Sequence, residues 1–513
     1  MTRRAVLLFA VTLAIAAPAA AADPEQPLSL AEATRLALRR NDAIAIGRES
    51  LAAARATERA ARGAYDPVLS VDAGWSRASQ PVNAAAPGAA GLAPERESSG
   101  GGAAVTQLLP TGGTLSVRAS GERSTSGAAD AQLSPAYDTR AGAELRQPLL
   151  RGLGMDAARL SVRAARADLC GADAGLARAR IETVAAVERA YWSLAAARLG
   201  VDVRSESVRL AAQQLDEARS RVDTGALPPT AAAEPRAELE RRRGELLAAG
   251  ESVVRAEDAL KLLVLGAVDD PLWAARLVPT DTAVVTAGAG DVEAAVEHAL
   301  TLRPEIEQAR AAVERRDAEA AFARNRVRPA LDAVVSYDRF GLAGSANPAA
   351  PVSPLPPSLQ GGLGDAFGTL RRGRYDATRV ALELALPLPD RAARGGAAAA
   401  RAGERLAEAE LQRVRKAVRA DVLDAAAAVG TAAQRIDTAH SAREAAETQL
   451  AAERDRYAGG LSTNFLVLTR QNDLSRARLD EIAARTDYRI ARAELARATG
   501  TPAADDVPGE PGH

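Results

Sequence analysis

Polar and apolar residues change their period along this chain in an order that occurs twice. Leu69, Val71, Ala73 and Trp75 alternate with Ser70, Asp72, Gly74 and Ser76, and Leu331, Ala333, Val335 and Tyr337 alternate with Asp332, Val334, Ser336 and Asp338. A period of two with one apolar face predicts strands, over about 68–78 and 331–339. A second strand follows in each half: Ala141, Ala143 and Leu145 stand against Arg140, Glu144 and Arg146 over 137–147, and Val380, Leu382, Leu384 and Leu386 against Arg379 and Glu383 over 378–387. Proline-free helical runs come next, from about 155 to 222 and from 391 to 457. In the first, Val187, Leu194, Val201, Val208, Leu215 and Val222 recur every seven residues, as do Leu239, Leu246, Val253 and Leu260 on the return. A strict sevenfold spacing predicts left-handed supercoiling against neighbouring helices.

Both helical runs break at glycine. RVDTGALPPT (221–230) and RYAGGLSTN (456–464) each interrupt an Ala/Arg/Glu-rich run, and Gly tolerates the left-handed backbone that a helix end requires. The chain therefore reads as two antiparallel helical hairpins, 155–266 and 391–500, with tips at these breaks. Before the strands, Ser29 and Glu32 make a capping-box pattern opening a helix.

The two halves are internal repeats. Leu30, Ala33, Ala37, Leu38 and Ile44 correspond to Val292, Ala295, Ala299, Leu300 and Ile306, and the same offset carries Pro67 onto Pro329 and Trp75 onto Tyr337. Pro148 and Pro387, then Gly225 and Gly460, continue the correspondence at smaller offsets, so the first half is longer between its strands. The excess holds Leu115, Val117 and Ala119 in alternation behind the turn signal Pro110-Thr-Gly-Gly113, which fits an extra hairpin of the sheet or a folded outer loop within 103–122. Gly/Pro/Ser/Ala-rich stretches at 80–100 and 342–373 read as exposed loops. The organisation is a first repeat at 23–266, a linker at 267–290, a second repeat at 291–500 and a flexible tail at 501–513.

Composition sharpens this picture. Only 3% of residues are aromatic, with 5 Phe and 2 Met, poor material for large cores and suited to long helices with thin seams. The 65 basic residues are matched by 66 acidic ones, which gives no reason to expect a nucleic-acid partner. Arg3, Arg4, the apolar run 5–17 and the small residues 19–22 read as an export signal, residues 1–22. The single Cys170 reads as a small buried residue. His298, His440 and His513 are scattered, no carboxylate or Cys cluster has metal-ligand spacing, and the Gly-rich runs lack a phosphate-loop setting, so the expectation is no enzyme, no metal and no cofactor.

Four strands with one apolar face cannot close a barrel, and lipid does not tolerate an open sheet edge. Closure therefore asks for several copies; three would supply twelve strands, with Arg140, Glu144, Arg146, Arg379 and Glu383 lining a wet lumen. Trp75, Tyr137 and Tyr337 are candidate interface anchors.

The ordered, duplicated strings LSLAEATRLALRRN, DPVLSVDAGW, LRQPLLRG and RVDTGALPPT, then RPEIEQA, RPALDAVVSY, LELALPL, RYAGGLSTNFLVL and ARATGT resemble the TolC family of outer-membrane efflux proteins over nearly the whole mature chain. The resemblance implies an α+β fold built from two internal repeats: a trimeric outer-membrane β-barrel, twelve-stranded in the family and with four or more strands per chain here, continued by a long periplasmic α-helical coiled-coil barrel. It implies a passive exit duct of a tripartite efflux or type I secretion system in a Gram-negative outer membrane. The implied partners are two further copies of the chain, a periplasmic membrane-fusion adaptor protein, an inner-membrane pump and outer-membrane lipid. By the same resemblance Gly225, Ala226, Leu227, Gly460, Leu461 and Ser462 dock the adaptor, and Tyr457 stands where the family gates its periplasmic mouth. Leu466 and Thr469 occupy positions where the family often has Asp, leaving Asp455, Arg456 and Asp473 as the nearby charges for a gate. The alternative from another class is a soluble periplasmic coiled-coil scaffold or adhesin. Nothing in the sequence selects drug, metal ion or protein as cargo.

Overall fold

The computed structural model describes residues 25–79, 95–128, 131–226, 228–282, 290–348, 350 and 355–501. The export signal, most of the tail, Leu227 and the linker stretch 283–289 lie outside them. The chain divides into two compact units, one drawn from Met1–Ile46, Ala177–Arg303 and Ala417–His513, the other from Gly47–Leu176 and Pro304–Lys416.

Short elements begin each repeat. Strand β1 (Glu25–Leu28) precedes helices α1 (Leu30–Arg40) and α2 (Asp42–Arg62). The α1 start is capped as its sequence asks, with Ser29 Oγ accepting from the Glu32 N–H at 3.2 Å. Strands β2 (Val68–Ser79), β3 (Glu95–Leu108), β4 (Thr114–Ser126) and β5 (Leu133–Pro148) follow, then the hairpin of α3 (Ala157–Asp223) and α4 (Ala233–Val264). In the second half β6 (Arg276–Pro279) precedes α5 (Val292–Leu302), α6 (Pro304–Arg326) and β7 (Ala330–Ala346). A short helix α7 (Leu363–Arg372) leads into β8 (Asp376–Ala385), α8 (Arg391–Ala458) and α9 (Asn464–Thr499). At 1.5 Å per residue, α3 and α8 are each about 100 Å long.

The first unit packs a parallel β1–β6 pair against the long helices. Leu28, Val187, Tyr191, Trp192, Leu194, Leu260, Val264 and Leu277 form its principal core. Fully buried Tyr191 donates to the Leu28 carbonyl at 3.0 Å, bonds Asp281, and accepts from the Thr280 N–H at 3.1 Å. Burial first, then the bond to Asp281, pushes its phenol up to about 12. Arg303, the residue between α5 and α6, is buried and donates to the last carbonyls of α9, Arg497 at 3.2 Å and Ala498 at 3.0 Å. A cation there satisfies carbonyls that no helical N–H can reach.

In the second unit six strands, in the order β2-β3-β4-β5-β7-β8, make one antiparallel sheet. Six strands fit the expected four or more per chain, so the sum of twelve made from the four clearest strands is too small. The added pair is β3 and β4, paired from Arg96↔Ser126 to Leu108↔Thr114, so the open question over 103–122 resolves as sheet. The loop readings at 80–100 and 342–373 are also too long, because β3 begins at Glu95, β7 runs to Ala346 and α7 occupies 363–372. Glycines misled the reading: a β-carbon on Gly101 would stand 2.8 Å from the Asp72 carbonyl oxygen, so the Gly-rich run is close strand packing. Cys170, expected buried, is exposed on α3. The packed stripe there runs through Ala165 and Leu176, and Cys170 is turned off it.

Candidate functional site

Register divides the sheet into two unlike faces. One carries Leu69, Val71, Ala73, Trp75, Val105, Leu115, Val117, Leu145, Val335, Tyr337, Val380, Leu382 and Leu384, and these large side chains are mostly exposed. Trp75, Tyr137 and Tyr337 share it. The opposite face carries all five residues assigned to a lumen, Arg140, Glu144, Arg146, Arg379 and Glu383, joined by Arg118, Asp332 and Asp338. Asp338 is only 5% exposed and holds Arg140 at 2.8 Å and Arg118 at 3.3 Å. Arg146 bridges Asp332 at 2.8 Å and Glu383 at 2.6 Å, while Arg379 reaches Glu383 at 3.4 Å. Glu144 sits between Ser116 and Ser336 in register. A recess of about 810 Å³ on this face is bordered by Asp72, Ser98, Ser120, Arg140 and Phe340. A sheet with large exposed apolar side chains on one face and paired charges on the other is wet on one side only.

The helical hairpins turn at two copies of one motif. At the first tip the Gly225 N–H donates to the Val222 carbonyl at 2.9 Å and the Ala226 N–H to Arg221 at 2.8 Å. At the second, Gly460 donates to Tyr457 at 3.0 Å and Leu461 to Arg456 at 2.8 Å. Both glycines have φ +74°, which an L side chain rarely adopts. This paired bonding closes a helix C-terminus, and its position in both repeats fixes the tips as equivalent. The return arms then differ: Pro228 leads a 3₁₀ turn at Pro229–Ala232, whereas α9 begins at Asn464 directly after Thr463. Leu461 is 83% exposed, and Ser462 Oγ donates to the buried Glu453 carboxylate.

The gate candidates do not form one cluster. Tyr457 is the connected member: its hydroxyl accepts from Arg221 at 3.0 Å, and the Arg221 guanidinium lies 5.5 Å from its ring centroid. Asp473 pairs with Arg470 on its own helix at 3.2 Å, Arg456 lies 3.8 Å from Glu453, and Asp455 is exposed. Sequence reasoning missed Arg221, although its repeat partner is Arg456, so the offset between Gly225 and Gly460 pointed to it.

A second polar focus lies along the α8–α9 seam. Glu481, 8% exposed, receives Arg443 at 2.6 Å, Arg485 at 2.7 Å and His440 Nδ1 at 3.2 Å. Burial opposes its charge, but the His440 bond and the Arg485 and Arg443 cations outweigh burial and hold the carboxyl below the usual glutamate range.

Such a sheet presents one face suited to lipid; among the described residues no helix is long and apolar enough to cross a membrane. The family model for outer membrane efflux proteins matches residues 102–266 and 295–501, well over half of the chain, and the chain belongs to that family. Solved structures share the fold. A membrane protein from Pseudomonas aeruginosa is 20% identical with a TM-score of 0.64, over 92% of this chain and 90% of that one. The Campylobacter jejuni CmeC outer membrane channel is 16% identical with a TM-score of 0.64, over 92% and 85%. The outer membrane protein VceC from Vibrio cholerae is 17% identical with a TM-score of 0.65, over 92% and 96%. No curated protein sequence matches. The protein is thus an outer-membrane efflux channel, a passive conduit and not an enzyme, and the soluble scaffold or adhesin reading falls.

Proposed function

We propose that three copies of this chain close their sheets edge to edge into one barrel, and that the duct so formed receives cargo from an inner-membrane pump through a periplasmic adaptor. The observation that carries this is the six-stranded sheet with exposed apolar residues on one face and two unpaired edges, β2 and β8. Lipid does not tolerate such edges, and pairing β2 of one copy with β8 of the next removes both. Three copies of six strands make eighteen, a size at which barrels enclose an aqueous channel. The energy comes from the pump; this protein holds the wet path and opens its periplasmic mouth.

The adaptor docks at Gly225, Ala226, Gly460, Leu461 and Ser462, and at Leu227, which lies outside the described residues. The exposed Leu461 supports this role, since an apolar side chain on a tip lacks a partner within its own chain. Tyr457, with Asp455, Arg456 and Asp473 around it, belongs to the mouth. Electrophoresis of the unheated membrane fraction is expected to show one heat-modifiable species of three chains, and planar bilayers to show wide, weakly selective conductance. A two-chain species, or protein released by high salt, refutes the assembly. Leu461→Glu is expected to abolish export while leaving the trimer in the membrane.

A further inference from the structure

Helix α7 lies on the apolar face of the sheet, at the end away from Pro148 of β5 and Ala385 of β8. The Thr139 hydroxyl donates to its Ala366 carbonyl at 3.2 Å, and Leu363 Cδ1 and Phe367 Cζ come within 3.7 Å of the point a β-carbon on Gly121 would occupy. Gly121 and Thr139 are the next outward positions on that face beyond the apolar runs of β4 and β5, and on β7 Gly341 follows Arg339, which comes next after Tyr337. Ala366 and Thr369 are buried against the sheet, yet Leu363 and Phe367 remain 44% and 46% exposed. The helix ends in exposed Arg371 and Arg372, and exposed Arg374 follows.

The dimensions explain this placement. The apolar runs Leu115–Ala119 and Ala141–Leu145 are about 14 Å long at 3.4 Å per residue, which tilts to about 10 Å of membrane thickness. A barrel's apolar band is about 25 Å tall. A helix laid across the strands adds about 10 Å, and its two exposed apolar side chains continue the band over β4 and β5. Arginines at the far edge of such a band meet headgroups.

We infer that α7 is an interfacial anchor, burying Leu363 and Phe367 at the edge of the outer leaflet and placing Arg371, Arg372 and Arg374 against anionic lipid phosphates. The charge complementarity is specific to this edge, because the arginines of the opposite face, Arg118, Arg140 and Arg146, are already held by Asp338, Asp332 and Glu383.

The inference rests on the membrane-channel reading, and the test separates them. Phe367→Cys, and separately Leu363→Cys, each in a Cys170→Ser background, is spin-labelled and reconstituted in vesicles of phosphatidylglycerol and phosphatidylcholine. The expected result is greater accessibility to oxygen than to a water-soluble nickel chelate at both sites. Association of phosphatidylglycerol, relative to phosphatidylcholine, is expected to weaken about fivefold for each arginine changed to Gln. Conducting channels with water-exposed labels, or an unchanged lipid preference in the triple Arg→Gln variant, overturn the anchor and leave the channel standing. Failure of the wild type to insert overturns both.

Discussion

The two helical hairpins carry one seam at the same seven-residue spacing, and they part company at a single level. Val187, Leu194, Val201, Val208 and Leu215 of α3 correspond to Val422, Val429, Ile436, Arg443 and Leu450 of α8. On the return arms Leu239, Leu246 and Val253 correspond to Leu474, Glu481 and Tyr488. Where the first hairpin has Val208 and Leu246, the second has Arg443 and Glu481, bonded at 2.6 Å between the apolar clusters Val429–Ile436–Tyr488 and Leu450–Val467–Leu474. A polar layer in an otherwise apolar coiled coil fixes register at a cost in stability. We propose that it also makes the second hairpin the more adjustable of the two, because a bonded layer can exchange partners while interlocked methyl groups cannot.

The largest effect is expected from forcing the first seam to resemble the second by half. Leu246→Glu introduces a carboxylate without the arginine that Arg443 supplies at this level of the second hairpin, and should cost about 2 kcal/mol in denaturant unfolding of the detergent-solubilised protein. A neutral result would mean that this level of the first seam is already wet, and the contrast would dissolve.

A smaller effect is expected from the reverse exchange. Arg443→Val with Glu481→Leu installs the first hairpin's residues together and leaves neither charge behind, so the unfolding midpoint should stay or rise by about a few degrees. The pH profile is the sharper readout. In the wild type Glu481 is held below its ordinary value near 4.5, so the unfolded chain binds more protons as acid is added. Its contribution is therefore present above that value and lost as pH falls through the lower folded one. The double variant should lack this acid-side loss, and an identical acid profile in both proteins would remove Glu481 as a determinant of stability.

The fold class was legible because its signals are long-range and repeated. A period-two run ending at proline, a proline-free sevenfold run and a Gly break, met twice in one order, leave few architectures open. The strands β3 and β4 were less legible, since Gly100, Gly101 and Gly102 read as loop while they serve close strand packing. Helix α7 was hidden for a similar reason: Gly364 and Gly368 interrupt its amphipathic pattern, and only its contact with Gly121 and Gly341 explains why it forms there. At the tips the glycines announced themselves, but the partner of Tyr457 did not. Arg221 lies 236 residues away from Tyr457, and a pairing between two tips cannot be read from either one alone.

That pairing supplies the smallest and most discriminating test. Tyr457→Phe removes the hydroxyl that accepts from Arg221 at 3.0 Å and keeps the ring under the guanidinium, so it should cost only about 0.5 kcal/mol. Arg221→Gln removes both contacts, and combining the two should cost no more than Arg221→Gln alone, because the hydrogen bond can be lost once. If the link helps to hold the two tips together, conductance recordings should show longer open dwell times in the order wild type, Tyr457→Phe, Arg221→Gln. Equal dwell times with a measurable coupling energy would make the pair a structural staple of the tips, and would leave the difference between the hairpins to the Arg443–Glu481 layer.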